Sequence, residues 1–186
     1  MIGTLPESLN VCGMELPINA DFRNVLTIFS AFSDTALTKE EQAAICLIRL
    51  YNVQLAQELT EEALKKAYWF LEGGDMPKSA PDAVKLIDWE HDESMVMPAV
   101  SKTVGVVDVR SLPYLHWWTF LGAFGEIGEG LFSQVVHMRQ KLGKGEKLDK
   151  TEKEFYRRNA ELVTLRTAEE QAEIDEVERV LKRLMI

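Results

Sequence analysis

Apolar positions recur at intervals of three and four along most of this 186-residue chain, the spacing of one helix face. Only near the amino end do they alternate singly. There LNVCGMELPI switches between apolar and polar residues around Gly13, which predicts a short hairpin over about residues 9–18. The first helical stripe is Phe22, Val25, Leu26, Phe29 and Phe32, with Asn19 or Asp21 as its cap. Thr38-Lys39-Glu40-Glu41 predicts a capping box, in which the hydroxyl and the carboxylate three residues later satisfy each other's free amides. It opens a helix carrying Ala44, Ile45, Leu47, Ile48, Tyr51 and Leu55. A third helix starts near Thr60 and runs through Ala63, Leu64, Ala67, Phe70 and Leu71 to Gly73-Gly74.

DMPKSAPDA, with two prolines and little apolar content, is the clearest linker. DWEHDESMVMPAVSKTVG then predicts a helix that stops near Gly105, with Pro98 starting a new turn or kinking it. Ser111-Leu112-Pro113 is expected to open the next helix, and Leu131 to Arg139 forms another. KLGKGEKLDK is a charged loop. From Asp149 the composition is helical to the end, with a joint near Thr167, where a second capping box runs to Glu170. The pattern therefore predicts a mainly α protein: a compact multi-helix bundle with a short N-terminal β-hairpin and a C-terminal amphipathic helix. Residues 1–166 form the helical domain; 167–186 form a helix that packs back or binds a partner.

Charge and composition narrow the function. A formal charge of −9 repels phosphate backbones and anionic membrane surfaces, so neither nucleic acid nor membrane is an expected partner. MIGTLPESLN has neither a basic nor an apolar region of the secretory kind, and no run approaches the roughly 18 apolar residues of a membrane span. Cys46, within AAICLIRLY, reads as a small buried hydrophobe, and Cys12 lies far from it, which suits the reducing cytoplasm. His91, His116 and His137 are isolated, without metal-ligand spacing. Asp88, Glu90, Asp92 and Glu93 could suggest a cation site, but a solvated helix start explains them better. Gly143-Lys144-Gly145-Glu146-Lys147 lacks the frame of a phosphate loop and reads as a turn. No catalytic, cofactor or metal site is expected, and the chain is read as a non-enzyme.

The stretch LHWWTFLGAFGEIGEG at 115–130 is the exception to this plainness. Adjacent helical side chains diverge by about 100°, so Trp117 and Trp118 cannot share a face. Core packing is the expected role, and a partner surface on one of the two indoles is the alternative. Gly122 and Gly125 either admit a neighbouring helix or mark a helix end. Near the carboxyl end Ile174, Val177, Leu181 and Leu184 make a seam of about two heptads, suited to packing back, to self-association or to a partner. The candidate partner-binding residues are therefore Trp117, Trp118, Ile174, Val177, Leu181 and Leu184.

INADFR, DWEHD, GVVD, LHWWTF and HMR occur in that order, followed by KLDKTEKEFYRRN. Together they resemble a family of small tailed-bacteriophage proteins from phages of Gram-positive hosts, encoded between the tail-tube and tape-measure genes. The resemblance spans roughly residues 9–166, with LHWWTF its most specific piece; Thr119 and Val104 depart from the family's basic and aromatic residues. It implies a tail-assembly chaperone in the host cytoplasm that binds the tape-measure protein, and the tail-tube protein as a further partner, keeping the former soluble without chemistry. A homo-oligomer would supply avidity. The alternative it leaves is a minor structural or connector component of the tail.

Overall fold

The hairpin is the first element of the computed structural model, which describes residues 3–75 and 85–165. β1 (Ser8–Val11) pairs antiparallel with β2 (Met14–Pro17), with Leu9 opposite Leu16 and Val11 opposite Met14. Cys12 and Gly13 close the turn at φ of 50° and 84°, the paired left-handed conformation that matches a hairpin's twist. Leu9 and Val11 face the core.

Eight α-helices follow among the described residues: α1 (Phe22–Ser33), α2 (Lys39–Tyr51), α3 (Thr60–Leu71), α4 (Glu93–Val104), α5 (Trp117–Gly125), α6 (Leu131–Gly143), α7 (Lys150–Arg158) and α8 (Ala160–Val163). The mainly α architecture expected from the spacing is the one observed. Asp21 caps α1, and Thr38 with Glu41 forms the expected capping box on α2. Gly105 ends α4 in the left-handed conformation, and Pro98 sits within that helix without interrupting it. α1 packs on α2 and α2 on α3; α4 packs on α5 and α6; α8 joins α6 and α7. α5 stands between α1 and α4, so the double tryptophan lies at the centre.

Several expectations need correction: α2 stops at Tyr51, with Asn52 left-handed after it, short of Leu55. On α2 the buried face is Gln42, Cys46, Leu47, Leu50 and Tyr51, while Ala44 and Ile48 are exposed. Gln42 donates to the carbonyls of Phe32 and Asp34, and Tyr51 OH donates to that of Ala63; these fixed polar partners turn the helix. The tryptophan helix starts at Trp117, not after Ser111, because residues 112–116 are drawn out against the start of α1. The α6 helix runs on to Gly143. Asn159 breaks the helical run that begins at Lys150. The linker DMPKSAPDA after Asp75, the joint at Thr167, the helix 167–186 and its seam Ile174, Val177, Leu181 and Leu184 lie outside the described residues.

Candidate partner-binding surface

The centre of the molecule is built by a backbone bridge between Asp21 and His116. Phe22 N–H donates to the Leu115 carbonyl at 3.0 Å, and Trp117 N–H donates to that of Ala20 at 2.7 Å. His116 Nδ1 accepts the Trp118 N–H, capping α5, so its proton sits on Nε2, which faces the Pro6 carbonyl at 3.0 Å. Arg23 reinforces the bridge. It holds Asp21 through two nitrogens and donates to the carbonyls of Leu112 and Pro113. Burial opposes ionisation of Asp21, but the Arg23 guanidinium and the Arg23 and Leu115 N–H groups hold its pKa below the ordinary carboxylate value.

Trp117 is fully enclosed, its Nε1 donating to the Leu71 carbonyl at 2.8 Å. It stacks on Phe120, which stacks on Phe22 at 4.8 Å, and meets Phe29 and Trp89 at its edges. Trp117 is therefore core and offers no surface to a partner. Trp118 is half-buried. Its Nε1 donates to the Phe70 carbonyl at 2.9 Å, and its ring lies between Trp69 and Phe70. Gly74 passes beneath the ring so closely that a Cβ there would stand 3.0 Å from it. Gly122 and Gly125 face open space, so close helix approach is not their role, and Gly125 is where α5 ends.

The acidic cluster is also structural, in a way its composition conceals. Asp92 is completely buried and grips the buried Arg139 with both oxygens, at 2.6 and 2.7 Å. Arg139 further donates to the carbonyls of Leu86, Leu162 and Val163. The expected solvated helix start thus fails at Asp92, because its charge has a neutralising partner 47 residues away that spacing cannot reveal. Asp88 supports the turn by accepting from the Glu90 and His91 N–H groups. Among the described residues no group of three or more His, Cys, Asp or Glu side chains could hold a metal ion. Burial pushes the Cys46 thiol up to about 12, so it stays protonated. Residues 143–147 form the end of α6 and a turn, with Gly145 at φ of 68°.

What remains open to another molecule is a set of grooves. The first, about 570 Å³, runs along α4 beneath the 126–131 loop; Met95, Pro98, Ile127, Leu131 and Phe132 line it, with Lys102 at its border. Leu131 is 46% exposed at its mouth, although it opens a helix. A smaller groove of about 260 Å³ lies between α6 and α7, where Met138 and Phe155 meet His137 and Glu152. Lys141 holds Glu152 at 2.7 Å, and with the Asp149 N–H it takes the carboxyl down to about 2. Sequence reasoning missed both grooves. The trace of the first was apolar Ile127 and Leu131 on either side of Gly128 and Gly130. No helix among the described residues is long and apolar enough to cross a membrane.

A profile of the family described as Bacteriophage Gp15 protein matches residues 1–165. The chain belongs to that family. No curated protein and no solved structure matches it. The fragments that carry the resemblance to phage proteins hold this Gp15-family fold together. INADFR clasps LHWWTF through the Asp21–His116 bridge, and DWEHD meets HMR in the Asp92–Arg139 pair. In GVVD, Gly105 caps α4 while Asp108 accepts from the Arg110 N–H.

Proposed function

We propose that the chain is a non-catalytic tail-assembly chaperone that binds the tape-measure protein in the host cytoplasm and keeps it soluble. Membership of a bacteriophage family supports the setting. The observation that carries the reading is the groove along α4, whose apolar floor and exposed Leu131 suit the apolar stripe of a partner helix. Lys102 on one border and Glu126 and Glu129 on the other give such a helix charges to register against. The acidic surface keeps the complex dispersed. Trp118 contributes as support beneath the surface, and the seam Ile174, Val177, Leu181 and Leu184 is a second contact, to the tape-measure protein, to the tail-tube protein or to another copy.

Co-expression tests the proposal. The chain is expected to carry the tape-measure protein into the soluble fraction and to co-purify with it; failure of the unaltered chain to do so overturns the function. Ile127→Glu together with Leu131→Glu is expected to abolish the complex while helicity by circular dichroism is unchanged. Full solubilisation by that folded variant would move the contact away from α4. Mass spectrometry of purified particles separates this reading from a tail component, since a chaperone is absent from them.

A further inference from the structure

The hairpin carries a second surface of a different kind. In an antiparallel pair closed by a two-residue turn, alternate residues point their backbone groups across the ladder and away from it. Val11 and Leu9 bond to β2, so Ser8 and Asn10 turn their N–H and C=O groups outward. Among the described residues no other backbone or side chain meets those groups. The outward edge borders a groove of about 550 Å³ between the hairpin and α3, with Pro6, Leu9 and Trp69 supplying its apolar lining.

The charges along this groove are unequal in their commitments. Glu15 accepts from the Ser8 hydroxyl and the Asn10 amide, and Glu62 accepts from the Cys12 thiol, so both carboxylates are engaged. Lys65 pairs with Glu61. Lys66 is half-buried in the groove wall, with no hydrogen bond or ion pair among the described residues. Glu62, one turn earlier on α3, acts on Lys66 through its charge but makes no direct bond to it, so the ammonium is left able to take a carboxylate on whatever fills the groove.

We propose that the outer edge of β1 accepts an extended polypeptide strand, bonded to Ser8 and Asn10 and placing a carboxylate side chain against Lys66. A third strand also suits a two-stranded sheet, which is marginal alone, and covers an edge that would otherwise invite unselective pairing. Which polypeptide supplies the strand rests on the function proposed above; the chemistry of the edge does not.

The test uses the full chain, labelled with ¹⁵N, and two synthetic valine–threonine heptapeptides, one with a central glutamate and one with a central lysine. The glutamate peptide is expected to shift the Ser8 and Asn10 amide signals, to slow their exchange, and to bind about tenfold more tightly than the lysine peptide. Lys66→Glu is expected to invert that preference. Ser8→Pro removes an outward N–H that the hairpin does not use, and is expected to weaken binding roughly tenfold relative to Ser8→Ala, which likewise lacks the hydroxyl bonded to Glu15 but keeps the N–H. Absence of protection at both amides with millimolar peptide, or a preference indifferent to Lys66, overturns the proposal. If the peptides fail while Ser8→Pro still solubilises the tape-measure protein, the edge alone is refuted. If they bind while the unaltered chain solubilises nothing, the edge stands and the chaperone function falls.

Discussion

Arg139 and Asp92 meet as a buried, two-pronged ion pair joining α6 to the turn that starts α4. Desolvating such a pair costs about as much as its attraction returns, but leaving one partner alone is far worse. Arg139→Ala is therefore expected to destabilise the fold by about 3–5 kcal/mol, read as a lower urea midpoint with unchanged slope. Combining Arg139→Met with Asp92→Leu is expected to recover most of that loss. A double variant no better than the single one would show that the carbonyls of Leu86, Leu162 and Val163 are the guanidinium's main clients.

Gly74 is expected to resist any side chain. Its φ of 98° is one that L residues rarely adopt, and a Cβ would press on the Trp118 ring at 3.0 Å. Gly74→Ala should cost about 1–3 kcal/mol, with a red shift in tryptophan emission as Trp118 is displaced from Trp69 and Phe70. Gly128→Ala, in open space, is the matched control and should leave both readings unchanged.

Acid should weaken the contact between α6 and α7. The folded chain holds the Glu152 carboxyl at about 2, against an ordinary 4.5, chiefly through Lys141. A carboxylate depressed in this way stabilises the fold fully above 4.5 and loses that contribution as pH falls toward about 2. The melting-temperature difference between the unaltered chain and Glu152→Gln should accordingly shrink through that window. A difference that stays constant with pH would mean that the Lys141–Glu152 pair contributes nothing to stability.

The two thiols should differ sharply in reactivity. Cys46 is buried and its thiol is raised to about 12, whereas Cys12 lies exposed in the hairpin turn. Its hydrogen bond to Glu62 also raises the Cys12 thiol, so labelling should be slower than for a free cysteine but complete in the native state. A chromogenic disulfide reagent is expected to find one thiol in the folded chain and two in denaturant. Two reactive thiols without denaturant would show that α2 opens readily.

What the sequence made legible was whatever depends on near neighbours. The hairpin turn at Gly13, the Thr38–Glu41 box, the Gly105 stop and the Asp149 start all rest on contacts within a few residues. Positions decided at long range were not legible. α2 presents Gln42 inward because carbonyls ten and eight residues earlier receive it. The tryptophan helix begins late because Ala20 and Phe22 hold the preceding backbone extended. The paired indoles drew attention as a surface, yet both spend their N–H groups on the last turn of α3. The grooves are assembled from several elements, each unremarkable alone, so no single stretch of sequence announces them.

The clasp between Asp21 and His116 has a bearing on how the chain is made. Two segments about 95 residues apart must meet before Phe22 has its stacking partner Phe120. At ordinary elongation speeds the ribosome delivers the second segment on the order of ten seconds after the first. Throughout that interval the nascent amino-terminal helices wait with one wall of their interior missing. A cell that makes this protein must shelter them, or outpace their clumping, until the tryptophans emerge.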